Sequence, residues 1–348
     1  MLKSYTLILT GSVVLLLAVI SLSVCIGAVS IAPANFLSII TYNTGLSTLK
    51  NFEPQQEAIL LVLRLPRVIL GVLIGGGLAV SGAAMQGLFR NPLAEPGLIG
   101  VSSGASLFAV VMIVLEVSIL KNVVSYLDYY ALPVAAFTGA CITTFLVYRL
   151  SIQHGKANIT ALLLSGIAIS ALAGAFIGLM TYVATDEQLR NITFWSLGSL
   201  GGATWSSVMV MLPFALIPIM VLPFFAKSLN AFALGEAPAR HMGVNTGLVK
   251  RSVIVLATMA VGGSVALAGI IGFIGLVIPH MIRMAFGADH RLLIPASALF
   301  GASVLTLADL ISRTIVAPAE LPIGIITSLI GAPVFIYIIL HQKKKLQL

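Results

Sequence analysis

The run Leu7-Ile8-Leu9-Thr10-Gly11-Ser12-Val13-Val14-Leu15-Leu16-Leu17-Ala18-Val19-Ile20 carries no charge, and no charged residue occurs between Lys3 and Lys50. A helix rises about 1.5 Å per residue, so roughly 20 apolar residues cross a hydrocarbon core of about 30 Å. The same texture continues along the chain. Of 348 residues, 59% are hydrophobic and only 9% charged, against about 25% charged in a soluble domain. A mean hydropathy of +1.10 requires lipid as the solvent for most of the surface. A transmembrane barrel would show alternating strands of about ten residues. The long uninterrupted apolar runs predict helices instead, and the 32 Gly and 15 Pro are tolerated in membrane helices when neighbours satisfy the freed backbone groups.

The fold class expected is an all-α integral membrane protein, a single transmembrane domain over 1–348. About ten spans are predicted: 7–28, 60–86, 94–115, 131–150, 160–183, 205–226, 249–268, 272–286, 292–312 and 322–341. The eighth is short and is expected to be partly broken. The segment 191–204 reads as an outer connection. Lys3 before an apolar run resembles a signal peptide, but the run is long and Val24 is bulky where a lipoprotein cleavage site wants a small residue. It is therefore read as an uncleaved first span. Cys25 and Cys141 lie far apart in apolar runs, without metal or redox spacing, and are expected to be buried small hydrophobes.

Ten spans put both termini on one side. With the N-terminus inside, the cytoplasmic set holds Lys3, Arg90, Arg149, Lys156, Lys227, Arg240, Lys250, Arg251, Arg283, Arg291, Lys343, Lys344 and Lys345, leaving six of the 19 basic residues outside. That excess predicts cytoplasmic N- and C-termini. The formal net charge of +8 then reflects topology and anionic headgroups, with membrane lipid and not nucleic acid as the partner. Gly71, Gly75, Ala79, Ala83 and Gly87 recur every four residues, a smooth stripe for close helix approach. Gly76–Gly82 and Gly262–Gly269 are alike and hint at an inverted repeat.

Several stretches are too specific for generic membrane sequence. They are Arg64-Leu65-Pro66-Arg67, Asn91-Pro92-Leu93-Ala94-Glu95-Pro96-Gly97, Ala233-Leu234-Gly235-Glu236, Val265 to Gly269, Gly272 to His280, Glu320-Leu321-Pro322-Ile323-Gly324, and Gly331-Ala332-Pro333-Val334-Phe335. In this order they resemble the permease subunits of ABC importers for iron-siderophores, haem and vitamin B12. The stretch Gln86 to Ala105 is most similar to haem permeases. The resemblance implies a homodimer of the vitamin B12-importer type in the bacterial inner membrane. Its partners would be two cytoplasmic ATPase subunits and a periplasmic or lipid-anchored substrate-binding protein. The cargo implied is an iron chelate, haem first, with siderophore or vitamin B12 as alternatives.

Roles follow position by position. Arg64, Arg67 and Arg313 lie at outer span ends, where guanidinium forks can reach water; the resemblance implies docking onto carboxylates of the binding protein. The loop from about 227 to 247 holds two short helical stretches, each ending in a glycine suited to a left-handed cap. The resemblance makes it an elbow in a groove of the ATPase, with Leu234, Gly235, Glu236, Ala239, Arg240 and Gly243 as coupling residues. Asn91 and Leu93, with Thr160 at the start of the fifth span, are implied in a cytoplasmic gate; Ile159 departs from the hydroxyl residue of the vitamin B12 relative. Asp309 and Glu320 read as capping or packing groups, and His280 as a structural histidine bonded to a backbone carbonyl.

No covalent chemistry is expected of this chain. The only Gly-Lys is Gly155-Lys156, preceded by Leu150 at the first glycine position of a P-loop and followed by Ala157, so no phosphate cradle forms. ATP and Mg are expected on the partner ATPase, with no cofactor and no metal on this chain. An ion-coupled secondary transporter would place ionisable groups at midplane, and only Asp309 is a candidate. An intramembrane enzyme would need paired aspartates or a nucleophile with a base, and none is present in the sequence.

Overall fold

The computed structural model describes residues 2–27, 29–116, 118–153 and 155–346, with the side chains of 2–4, 339 and 341–346 outside that description. Lys3 and Lys343–Lys345, which the charge count uses, therefore lie outside the described side chains.

Among the described residues sixteen α-helices run in order: α1 (Leu2–Cys25), α2 (Pro33–Asn43), α3 (Pro54–Ala58), α4 (Leu65–Phe89), α5 (Val101–Leu115), α6 (Lys121–Leu127), α7 (Ala131–Leu150), α8 (Ile159–Val183), α9 (Asp186–Leu197), α10 (Trp205–Val221), α11 (Ala226–Phe232), α12 (Glu236–His241), α13 (Thr246–Ala268), α14 (Ile274–Phe286), α15 (His290–Thr314) and α16 (Ile323–Leu346). A π-helical turn at Ile59–Arg64 joins α3 to α4, and a two-residue hairpin pairs Ile152–Gln153 with Lys156–Ala157.

Each predicted span coincides with one of these helices. Among the described residues seven continuous helical stretches are long and apolar enough to cross a membrane, and three apolar helices are shorter: Val101–Leu115, Ile274–Phe286 and Ile323–Ile338. The 13 residues of α14 reach only about 20 Å, as short as the eighth span reads in the sequence, but the helix is continuous from Ile274 to Phe286 and not broken. The third span is interrupted. A 3₁₀ turn at Pro96–Ile99 leads into left-handed Gly100, and only then does α5 begin.

Two expectations need correction. The segment 191–204 is not a plain connection, because its first half belongs to α9, which opens with a capping box between Thr185 and Gln188. The cysteines are not buried: Cys25 is intermediate and Cys141 exposed, which carries little penalty for a thiol on an apolar helix face. Helices α2, α3 and α6 were not legible as elements. They are short connectors, and the first two begin with Pro33 and Pro54.

Local chemistry sets the helix starts. Asn158, Thr204 and Asn245 accept from backbone amides of α8, α10 and α13, and Asp289 does the same for α15. The centre of the bundle is α4, packed on α15, α13, α10 and α14. In a bilayer, apolar burial gives helices no preference for one another over lipid, so close backbone packing takes over. The stripe read from the sequence does this. A Cβ on Gly75 would strike the Gly301 carbonyl, and one on Gly301 would strike Ala79 and the Gly75 carbonyl. Helices α4 and α15 are therefore in close backbone contact where Gly75 and Gly301 cross.

Candidate functional site

Polar side chains gather at both ends of the apolar bundle. At one end, the start of α4 meets the end of α15. Arg67 Nε lies 3.0 Å from both carboxylate oxygens of Asp309, and its Nη2 donates to Asp309 Oδ1 at 2.8 Å. Its Nη1 donates to the two oxygens of Glu320 at 2.8 and 2.9 Å. Asp309 is 2% exposed and Glu320 43%. These carboxylates are thus ion-pair partners, and the reading of them as capping or packing groups is corrected.

Arg64 and Arg313 close the same patch. Arg64 is buried and donates to the Val24 carbonyl at 2.6 Å, and to the carbonyls of Cys25 and Val29. Arg313 donates to Ile26 at 3.0 Å and to the Ser23 carbonyl. Both guanidinium groups converge on Gly27. The arginines that sequence grouped are brought together, and most of their donors are engaged within the chain, although the buried Arg313 Nε makes no hydrogen bond among the described residues and stands 3.7 Å from Asp309.

At the other end lies the elbow. Gly235 has φ +117° and Gly243 φ +83°, conformations that a side chain resists. They end α11 and α12 as the sequence suggested. Glu236, the first residue of α12, bonds Lys250 Nζ at 2.7 Å and stands 3.6 Å from Arg240. Lys250 also donates to the Ala157 carbonyl at 2.6 Å. The elbow is thereby pinned to α13 and to the hairpin before α8. Burial pushes the Glu236 carboxyl up, but the Lys250 hydrogen bond and charge, then Arg240 and the Thr246 hydroxyl, hold it below the usual carboxylate value. Sequence reasoning counted Lys250 only as a cytoplasmic charge. Its fourteen-residue offset from Glu236 gave no signal.

At the same end as the elbow sits the turn after α4, with Arg90 lining one cleft together with Glu236 and Arg240. Arg90 caps α4 in the left-handed conformation (φ 52°), and the Asn91 side chain accepts from the Leu93 amide at 2.9 Å. Asn91 and Leu93 are exposed. Thr160 is exposed as well and lines a polar cleft with Arg90, Lys156, Glu236 and Arg240. The structure thus brings Thr160 beside the elbow. Among the described residues no hydrogen bond joins it to Asn91 or Leu93. Gly166 of α8 abuts the Leu98 carbonyl so closely that a Cβ would collide, which seats the 3₁₀ turn on α8. His280 is buried and hydrogen-bonds the backbone of Pro92, as the structural reading expected. Helix α8 is the least buried of the long apolar helices. Among the described residues no group of three or more His, Cys, Asp or Glu is placed to hold a metal ion.

The sequence matches the FecCD transport family over residues 15–341. The chain belongs to that family. It is 47% identical over 284 residues to the hemin transport system permease protein of Yersinia pestis, covering 81% of this chain and 83% of the relative. It is 40% identical over 334 residues to the vitamin B12 import system permease protein of Escherichia coli, covering 96% and 94%. Its structure is similar to that of a metal-chelate type ABC transporter in an inward-facing conformation, with TM-score 0.81, 32% identity, and coverage of 94% and 97%. This FecCD chain is a permease subunit of an ABC importer, not an enzyme, and a multi-pass protein of the bacterial inner membrane.

Proposed function

We propose that this FecCD permease moves haem across the inner membrane by alternating access, as one of two identical copies, each with ten crossings and cytoplasmic termini. The observation that carries the mechanism is the elbow, a pair of short helices with left-handed glycine joints, fixed to the bundle by Glu236 and Lys250. Such a knuckle transmits displacement rather than absorbing it. Two cytoplasmic ATPase subunits bind ATP and Mg, close, and push on Leu234, Gly235, Glu236, Ala239, Arg240 and Gly243. The cargo leaves through a gate formed by Asn91, Leu93 and Thr160, along the exposed face of α8.

The outer patch of Arg64, Arg67 and Arg313 receives the substrate-binding protein. Its internal pairing refines this role. Arg64 and Arg313 frame the patch by holding the end of α1, whereas Arg67 faces Glu320, which is exposed enough for an incoming carboxylate to exchange with it. Haem as cargo rests on the hemin relative at 47% identity. The vitamin B12 relative, though less identical, aligns with 96% of the chain against 81%, and this favours vitamin B12 as the second reading.

The test is reconstitution in liposomes with the cognate ATPase and binding protein, following uptake and ATP hydrolysis with haem, vitamin B12 and ferric siderophore in turn. Haem uptake that requires both partners supports the proposal. Uptake of vitamin B12 alone moves the cargo to the second reading. Uptake that persists without ATPase refutes the coupling role of the elbow.

A further inference from the structure

Asn230, in the middle of α11, reaches across to the start of α15. Its Oδ1 accepts from the His290 backbone amide at 3.0 Å and lies 2.7 Å from His290 Nδ1. Its Nδ2 donates to Asp289 Oδ1 at 2.7 Å, which fixes the orientation of the amide. An amide oxygen has no proton to give, so His290 Nδ1 carries the proton and donates it. Asp289 is held in turn by the Tyr5 hydroxyl at 3.1 Å, which ties α1 into the same cluster.

The other ring nitrogen faces α4. His290 is 3% exposed, and its Nε2 is buried without a hydrogen-bond partner. It presses on Gly87, where a Cβ would collide with it. Gly87 lies three residues before Arg90, the left-handed cap that turns α4 into Asn91 and Leu93. One residue earlier, Gln86 accepts from Arg283 at 3.2 Å and donates to the Leu276 carbonyl at 3.0 Å, so the last turn of α4 is also bound to α14. An orphaned buried acceptor is costly, and an apolar side chain would fill the space beside Gly87 without that penalty. A histidine here does what no apolar residue does. It is a flat, incompressible spacer whose orientation is dictated by the elbow.

We propose that Asn230 and His290 are positioning residues of the transport cycle, the link by which displacement of the elbow reaches the last turn of α4 and the gate loop that follows it. The link rests on the reading of the elbow as the ATPase contact. Two hydrogen bonds join Asn230 to His290, and the ring sits so close to Gly87 that a Cβ there would collide with it. When α11 moves, the ring must turn or shift, and α4 must follow. Backbone packing of α4 on α15 carries the shift as a unit.

The experiment uses the reconstituted permease with its ATPase and binding protein, and reads cargo transported per ATP hydrolysed. His290→Phe keeps the spacer and removes the donor. His290→Asn keeps the donor and removes the spacer. Both are expected to lower the transport-to-ATP ratio by about tenfold, within the range of single-residue effects on coupling, with ATP hydrolysis itself nearly unchanged. Asn230→Ala is expected to lower the ratio similarly. A ratio equal to wild type in folded His290→Phe and Asn230→Ala overturns the link, and so does a proportional fall in transport and hydrolysis. Hydrogen exchange on the unaltered protein gives a second reading that does not depend on variants folding. ATPase binding should change exchange at 233–243 and 88–93 together, and a change confined to the elbow overturns the proposal. Wild-type transport that ignores the ATPase overturns the reading of the elbow itself, an outcome distinct from the others.

Discussion

Replacing Arg67 by Met leaves a buried carboxylate, Asp309, without its main partner. Arg67 contributes three of the close contacts around Asp309, two from Nε at 3.0 Å and one from Nη2 at 2.8 Å. Without it, Asp309, 2% exposed, keeps among the described residues only Arg313 Nε at 3.7 Å as a cationic neighbour. Removing one partner of a buried pair destabilises by about 3–5 kcal/mol, because the other charge is left without compensation. Glu320 is 43% exposed, and water replaces Arg67 as its partner, so Glu320→Gln is expected to cost about 0–1 kcal/mol. The assay is equilibrium unfolding in mixed micelles titrated with denaturing detergent. The double variant Arg67→Met with Asp309→Leu completes the cycle and should recover more than half of the Arg67→Met loss. If Arg67→Met costs no more than Glu320→Gln, or if the two single losses simply add in the double variant, the buried pair is not the anchor of this patch.

Two further predictions concern packing and pH. Gly301→Val forces branched carbon against Ala79 and the Gly75 carbonyl and is expected to cost about 1–3 kcal/mol or to block folding. Gly11→Ala, with nothing within 4 Å, should stay within about 0.5 kcal/mol in the same titration. Glu236 has a folded-state pKa below its ordinary value of 4.5, so its contribution is fully present above that value and is lost only as pH falls through the folded pKa. Amide exchange at 235–244, corrected for its intrinsic pH dependence, should therefore be flat from pH 8 to 6 and rise under acid, whereas Glu236→Gln should exchange faster already at neutral pH.

Sequence made the helices legible because a membrane span is written in one dimension: length and hydropathy suffice, as the run from Leu7 to Ile20 illustrates. The glycine joints of the elbow were legible for a related reason, since Gly235 and Gly243 announce a backbone conformation on their own. Pairings across the bundle were not. Arg67 and Asp309 are 242 residues apart in the chain, and each alone reads as a polar group near a helix end. One clue was available: Asp309 and Arg313 share a helix face four residues apart, which marks a charged corner rather than an isolated cap. His290 was missed because it sits between Asp289 and Arg291 and looks like a solvated turn. Only tertiary structure sets its ring against Gly87. The helix α9 was hidden by its polar first turn, which lowers hydropathy just where the capping box raises helix stability.

The glycine contact between α4 and α15 has an entropic consequence peculiar to lipid. In water, a glycine inside a helix is penalised because the unfolded backbone is so free. In a bilayer the unassembled helix is already helical, since bare amides are not tolerated there, and that freedom is gone before the helices meet. What remains to be frozen when α4 docks on α15 is side-chain rotation, up to about 2 kcal/mol for a long residue and none for Gly or Ala. Gly75, Ala79 and Gly301 thus assemble with almost no loss of disorder. The residues that look least capable of holding a protein together form its most economical joint.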